Sequence, residues 1–308
     1  MISYEGKVVV VTGGGEGSIG ESHAKSFAKR GACVVVNDIN VEAADATVES
    51  IVSANGQAIA NHDSVLDGTA IIDQTLNAYG RIDVMLNNAG IDGVGPEGPL
   101  NVGEISEDFW RQTLDVHLMG TFACTKAALK PMQEQGSGRV LVTSSPTGIF
   151  GCTGANAYAT AKAALFGFMQ CVALEYRDQG ITCNALVPVS AGGTTRAHLS
   201  EEWVARAQAE YVSEFAAWLA HDSCSVSGKA FEVGGGYIHP LRVQMGAGIY
   251  LEAASYSAEA IADHAQQLSD FTDCFYPDVG EITVVLNKIA EKAGVPPMEA
   301  VRLPSQPR

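Results

Sequence analysis

Tyr158 and Lys162 stand four residues apart in the run Tyr158-Ala159-Thr160-Ala161-Lys162, a spacing that puts both side chains on one face of a helix. A free phenol ionises near pH 10, too high to accept a proton well at neutral pH. A fixed ammonium nearby favours the phenolate; lowering the pKa by roughly three units takes about 4 kcal/mol of differential interaction. Ser145 follows the β-branched run Arg139–Thr143. A hydroxyl at a strand end can meet a helix-borne phenol across one substrate oxygen and donate a hydrogen bond as charge develops there. Such a trio would do acid/base chemistry on an alcohol or a carbonyl. Plainer readings exist for each part: a surface helix for the tyrosine–lysine spacing, and a turn for Ser144 and Ser145.

A second group of residues is suited to holding a nucleotide. The run Thr12-Gly13-Gly14-Gly15-Glu16-Gly17-Ser18-Ile19-Gly20 follows one strand pattern and opens a helix pattern. Glycines let the backbone turn sharply and approach a pyrophosphate, which then lies on the positive helix N-terminus. Asp38 ends the next strand pattern, where a carboxylate accepts hydrogen bonds from ribose hydroxyls and repels a 2′-phosphate. That favours NAD over NADP. The plain alternative for Asp38 is a helix N-cap.

Positioning both groups requires a particular scaffold. Apolar runs at Lys7–Thr12, Ala32–Asn37, Asp83–Asn87, Arg139–Thr143, Ile181–Val187 and Ala230–Val233 lack polar alternation, as strands buried on both faces do. Helical periodicity marks the stretches between them, such as Val65–Tyr79 and Glu107–Met132. The expected class is α/β: a Rossmann-type doubly wound parallel sheet with helices on both faces and ligands at the strand C-terminal ends. Residues 1–236 form the nucleotide-binding domain in this reading. Residues 237–308, with helical patterns at Ala258–Leu268 and Val279–Ala293, form a C-terminal helical extension.

Composition narrows the function classes. Of 308 residues 46% are hydrophobic and 18% charged, and the net charge is −16. So acidic a chain repels nucleic acid and anionic membranes, and neither is expected as a partner. Seven scattered cysteines and seven histidines lack disulfide-framework, CxxC or HExxH spacing, so no metal is expected. No charge-free apolar run is long enough to cross a bilayer, and neither terminus reads as a targeting segment. The expected compartment is cytoplasmic.

Taken in order, Thr12-Gly13 with Gly17, Asn87-Asn88-Ala89-Gly90 after a strand, Ser145, and Tyr158 with Lys162 resemble the short-chain dehydrogenase/reductase family up to about Gly235. The resemblance implies an NAD-dependent enzyme that interconverts a secondary alcohol and a ketone. In it Ser145 orients the substrate, Tyr158 is the general acid/base, and Lys162 lowers the tyrosine pKa and holds the nicotinamide ribose. It further implies that Gly13, Gly17, Ser18 and Ile19 form the phosphate loop, that Asn88, Ala89 and Gly90 line the adenosine side, that Asp63 and Ser64 hold the adenine edge, and that Pro188 approaches the nicotinamide. Two departures stand out. Ser18 adds a residue to the usual glycine spacing, which leaves open which glycine meets the phosphate. His117 occupies the place of an asparagine that completes a proton relay in the family; relay and purely structural roles are both open for it.

A further resemblance, to the dehydrogenase part of the peroxisomal multifunctional enzymes and its bacterial relatives, is carried by His62-Asp63-Ser64-Val65, Val116-His117-Leu118, Gly148-Ile149-Phe150-Gly151, Phe231 to Gly236, and the tail. It implies a (3R)-hydroxyacyl-CoA or 17β-hydroxysteroid substrate. The tail's nine acids and five bases include no basic cluster for CoA phosphates. An unrelated small secondary alcohol, and a non-catalytic NAD-binding scaffold, are the alternatives. Val189–Ala207 reads as a lid. Family practice implies a homodimer or homotetramer formed through the helices at Glu107–Met132 and Tyr158–Arg177. The tail aromatics Tyr250, Tyr256, Phe271, Phe275 and Tyr276 are candidate anchors near the two-fold axis.

Overall fold

The structure, a computed structural model, describes residues 2–95, 98–191, 200–278 and 282–297, with the backbone alone for 282–285. Seven parallel strands are β1 (Val8–Thr12), β2 (Cys33–Asn37), β3 (Gln57–Asn61), β4 (Val84–Asn87), β5 (Gly138–Thr143), β6 (Ile181–Pro188) and β7 (Ala230–Gly234). An antiparallel β8 (Tyr237–Leu241) closes the row. Their order is β3-β2-β1-β4-β5-β6-β7-β8, so the winding reverses between β1 and β4, which is where a doubly wound sheet opens its ligand crevice.

The unbroken apolar runs are explained by the two layers. Successive strand residues point to opposite faces. Val9 and Val11 join one buried cluster with Val34, Val36, Leu86 and Leu141; Val10 joins another with Val35, Met85, Val140 and Val142. Helices α1 (Ile19–Ala28), α2 (Val41–Ser53) and α9 (Ala209–Leu219) cover the first face with Phe27, Ile51 and Leu219. Helices α3 (Gly68–Tyr79), α5 (Gly120–Gln135) and α7 (Asn156–Glu175) cover the second with Ile71, Leu129, Leu165 and Met169. A fully buried leucine or phenylalanine contributes roughly 1.5–3 kcal/mol, so the scaffold under the crevice is rigid. Helix α7 is long and apolar enough to meet the length test for a bilayer span, but Leu165, Met169 and Val172 are packed in the core.

Several elements differ from the sequence expectation. β3 is an added edge strand; Gln57-Ala58-Ile59-Ala60-Asn61 has one β-branched residue, too weak a signal to stand out. The helix expected over Glu107–Met132 is interrupted: α4 (Glu107–Leu114) passes into a π-helical turn at Asp115–Met119 and then into α5. On the expected interface helix Tyr158–Arg177, Leu165, Met169 and Val172 are at most 4% exposed and pack inside the subunit. Of the lid segment Val189–Ala207, residues 192–199 lie outside the described residues, and α8 (Glu201–Arg206) follows them.

Two compact units are present, Met1–Leu241 and Arg242–Arg308. β8 thus completes the first, and the second begins five residues later than the composition change suggests. Within the second unit, β9 (Met245–Gly246) pairs antiparallel with β10 (Cys274–Phe275), beside α10 (Ala258–Ala262) and α11 (Ile282–Ala293). The tail is therefore not wholly helical. The Arg242 guanidinium lies 3.5 Å from the Tyr276 ring centroid, and the Lys288 ammonium 4.2 Å from that of Phe275; cation–ring contacts tie this small unit internally. Tyr256 and Phe271 are more than half exposed.

Candidate active site

The glycine loop leaves β1 and is held by its own polar atoms. Ser18 is the N-cap of α1: its Oγ accepts from Glu21 N at 3.0 Å and donates to Gly15 O at 2.6 Å. Glu21 in turn accepts from Gly17 N at 2.7 Å. The extra residue is thus absorbed as a cap, and Ile19 opens the helix. Gly13 and Gly17 have positive φ, 61° and 81°, which suits glycine. A Cβ at Gly20 would strike Gly13 O, and one at Gly13 would come within 2.7 Å of Ala89 Cα, whereas Gly17 faces open space. Gly17 is therefore the glycine that leaves room for a phosphate, while Gly13 and Gly20 serve close packing.

Asp38 is not a helix cap; Asn40 caps α2. The Asp38 carboxylate instead accepts from Gly15 N and from Asn40 N, each at 3.0 Å, which ties the end of β2 to the glycine loop. Asn88 donates through Nδ2 to Gly13 O at 3.0 Å, and the Thr12 hydroxyl accepts from the amides of Asn88 and Ala89 at 3.0 and 3.1 Å. Thr12, which opens the glycine run in the sequence, is given no role of its own there; its signal is a lone hydroxyl ending a run of valines. Asp63 and Ser64 follow β3, with Ser64 Oγ accepting from Leu66 N at 3.3 Å. Pro188 ends β6. These residues all lie at the C-terminal ends of the strands, as expected. A glycine loop with space over Gly17, a helix N-terminus and two exposed-side carboxylates fit a dinucleotide.

The same edge carries the catalytic trio. Ser145 follows β5 and hydrogen-bonds the Tyr158 phenol, while its Oγ accepts from Thr147 N at 3.2 Å. Ser144 donates to Lys162 O at 2.8 Å and so pins α7 to the end of β5. Lys162 is buried and donates to Thr143 O at 2.6 Å; its Nζ sits 5.5 Å from the Tyr158 ring centroid. Burial lowers the Lys162 pKa to about 7. The Tyr158 pKa is raised, chiefly by burial; the Ser145 hydrogen bond opposes that and the Asp92 charge adds to it. In this geometry the Lys162 ammonium is engaged by Thr143 O. Gly93 packs against the root of the Tyr158 side chain, since a Cβ there would come within 2.7 Å of Cγ. No sequence signal marks Asp92 or Gly93 as neighbours of Tyr158.

His117 lies on the π-helical turn and is 2% exposed. A π-turn inserts one residue into the helical ladder, a device common at functional sites. Its ring stands edge-on to Tyr158, centroids 5.1 Å apart at 88°. Nε2 is 3.0 Å from Ile91 O and 3.2 Å from Ile91 N, so either tautomer finds a partner in that residue. Gly90 must be glycine because a Cβ would come within 2.5 Å of the imidazole Cε1. Burial, then the Lys162 charge, lower the His117 pKa to about 3, against a small opposing effect of Ile91. Burial thus favours the neutral imidazole, whose Nε2 faces the Ile91 backbone. Among the described residues no group of side chains could hold a metal ion.

Comparison with known proteins agrees with this geometry. The short chain dehydrogenase family profile matches residues 7–204. Peroxisomal multifunctional enzyme type 2 of Mus musculus is 36% identical over 96% of this chain and 42% of its own length. The full-length structure of that enzyme from Drosophila melanogaster superposes with a TM-score of 0.80 at 32% identity, covering 94% of this chain and 50% of that one. A 7α-hydroxysteroid dehydrogenase complexed with NADH and 7-oxo glycochenodeoxycholic acid gives 0.69 at 26% identity, over 76% of this chain and 95% of that one. This chain thus spans about half, or less, of the multifunctional relatives named here. The expected cytoplasmic compartment does not stand against this company: the related enzymes of mouse, Dictyostelium, fly, Neurospora and yeast are peroxisomal. An organelle address is a short receptor-read segment, which neither charge nor hydropathy reports.

Proposed function

Because this oxidoreductase belongs to the short chain dehydrogenase family, we propose that it interconverts a secondary alcohol and its ketone with NAD, and that its substrate is a (3R)-hydroxyacyl-CoA or a 17β-hydroxysteroid. The observation that carries the reading is the convergence of three side chains at the end of β5: Ser145 hydrogen-bonds the Tyr158 phenol, and the buried Lys162 Nζ lies 5.5 Å from the same ring. The cofactor supplies the hydride acceptor or donor and, in its oxidised form, a positive charge. Glycines of the loop and the N-terminus of α1 hold its phosphates, Asp38 its adenosine ribose, and Lys162 its other ribose. During oxidation Tyr158 Oη takes the alcohol proton while Ser145 Oγ donates to the same substrate oxygen. Lys162, which donates to Thr143 O and lies 5.5 Å from the Tyr158 ring centroid, would hold the nicotinamide ribose of a bound cofactor, and its charge there would favour the phenolate.

The multifunctional relatives favour the acyl-CoA member of the substrate pair, and the hydroxysteroid dehydrogenase neighbour favours the steroid. A homodimer fits exposed Met119 and Phe122 near α5, 45% and 41% accessible. The test is an NAD-reduction screen across (3R)-hydroxyacyl-CoAs of several chain lengths, 17β-hydroxysteroids and simple secondary alcohols. Turnover confined to simple alcohols overturns the substrate assignment, and no turnover at all favours a non-catalytic scaffold.

His117 acts in this scheme as a positioning residue, locking Ile91 and thus the floor beneath Tyr158. His117→Asn is expected to keep activity within about tenfold, because an amide can still bond the Ile91 backbone. His117→Leu should lose at least ten times more, since it leaves a partly buried Ile91 backbone group without its partner, at about 1–3 kcal/mol. Equal kcat values for the two variants would show that the polar contact is irrelevant.

A further inference from the structure

At the ends of β2 and β3, the apolar strands give way to two buried amides. Asn37 and Asn61 are register partners, and each is 1% exposed. Asn37 Nδ2 donates to Asn61 Oδ1 at 2.7 Å and to Asp63 O at 2.8 Å. Asn61 Oδ1 also accepts from Asp63 N at 3.2 Å. Asn61 Nδ2 then donates to Asp63 Oδ2 at 2.7 Å and to Gln74 Oε1 at 2.6 Å, and Gln74 Nε2 donates to Ala60 O at 2.8 Å. Asp63 is itself exposed, yet its amide, carbonyl and one carboxylate oxygen are all gripped from below. An exposed loop carboxylate needs no such support to keep β3 in place, because the ladder from Asn37 to Asn61 already does that. Among the described residues none donates to its other oxygen, Oδ1.

We infer that Asn61 and Gln74 set the orientation of the Asp63 carboxylate, holding Oδ1 as a fixed acceptor for the exocyclic amino group of the cofactor's purine, so that this buried amide network determines selectivity for a 6-amino base. The inference rests on the proposed NAD reading and on the adenine-edge placement at Asp63 that the family resemblance implies. The physical warrant is preorganisation: a carboxylate fixed by charge-assisted hydrogen bonds loses little freedom when the ligand arrives, and an acceptor-only carboxylate is matched by an amino group but not by a carbonyl oxygen. Asn61 is the hinge of the network, because among the described residues its amide alone hydrogen-bonds the side chains of both Asp63 and Gln74. Gln74 fixes which way that amide points.

The test compares binding of NADH and of its deamino analogue, which carries a 6-oxo base, followed by quenching of tryptophan fluorescence. The native protein is expected to bind NADH at least about tenfold more tightly. Asn61→Asp keeps both acceptor contacts of the residue, removes its donors and sets a second carboxylate oxygen against Asp63 Oδ2. It should bring the Kd ratio to within about threefold of unity. Gln74→Leu should lower the ratio by a smaller factor and Gln74→Glu, which still accepts from Asn61, should restore it. Binding of the deamino analogue should stay within about twofold in every variant, a result that mere loosening of the fold would not give. Asp63→Ala is the control for the underlying placement. If the ratio falls in Asp63→Ala but persists in Asn61→Asp and Gln74→Leu, the network has no positioning role. If Asp63→Ala also keeps the native ratio, the adenine placement fails and the inference fails with it. Should Asn61→Asp not fold, the pair of Gln74 variants decides the matter: identical ratios in both overturn the inference.

Discussion

Tyr158→Phe is expected to lower kcat for alcohol oxidation by at least about a hundredfold while leaving the affinity for NADH within about twofold. General acid/base catalysis is typically worth 10²–10⁴ in rate, and this variant removes only the phenol oxygen. The ring keeps its edge-on contact with His117 and its seat against Gly93, so the fold and the cofactor cleft should be preserved. The phenol's raised pKa gives the result a pH signature. Oxidation needs the phenolate, the proton-poor form, so kcat/KM in the native enzyme should rise as pH increases above neutrality. That alkaline rise should vanish in the phenylalanine variant. Stopped-flow measurement of the first turnover from pH 6 to 10 checks both statements. A variant with near-native turnover, or one that retains the rise, would remove the assignment of Tyr158 as acid/base.

Cofactor choice should shift almost as far. The native enzyme is expected to use NAD at least about a hundredfold more efficiently than NADP, judged by kcat/KM. Asp38 cannot swing aside when a 2′-phosphate arrives, because Gly15 N and Asn40 N hold its two oxygens. Two unit charges 4 Å apart repel by about 4 kcal/mol at a surface-like dielectric, and salt screening reduces this without abolishing it. Asp38→Ser should cut the preference by at least about tenfold. Part of that change should appear as weaker NAD binding, because the variant also loses a support of the glycine loop. Equal efficiency of the native enzyme with both cofactors would sink the role given to Asp38.

The chemistry was more legible in the sequence than the architecture that serves it. Tyr158, Lys162 and Ser145 are readable because an i, i+4 pair and a strand-end hydroxyl follow from local periodicity alone, and Asp38 because it ends an apolar run. The sheet was legible for strands rich in valine and isoleucine, and not for β3, whose alanines fit a strand only by pairing with β2. The π-turn left no trace, since Thr113, His117 and Thr121 keep an ordinary fourfold spacing through it. Asn61 and Gln74 lie in different elements, so the contact that links them belongs to tertiary packing. The contact between Lys162 and Thr143 is hidden for a related reason: nothing local says that the ammonium will be buried and engaged by a strand carbonyl.

The π-turn at Asp115–Met119 also fixes how this stretch can change length. An α-helix advances about 100° per residue, so the surplus residue sets α4 and α5 out of phase by roughly that angle, as if two helices had been spliced with a twist. Removing one residue between Asp115 and Met119 would repair the helix and rotate everything on α4 by the same amount, turning Thr113 out of its buried site and carrying His117 off Ile91. Point substitutions here act locally, whereas a single-residue deletion acts as a rotation of a whole helix. An alignment gap placed in this turn is therefore an angular change, and homologues that differ by one residue here present a different face of α4 to the crevice.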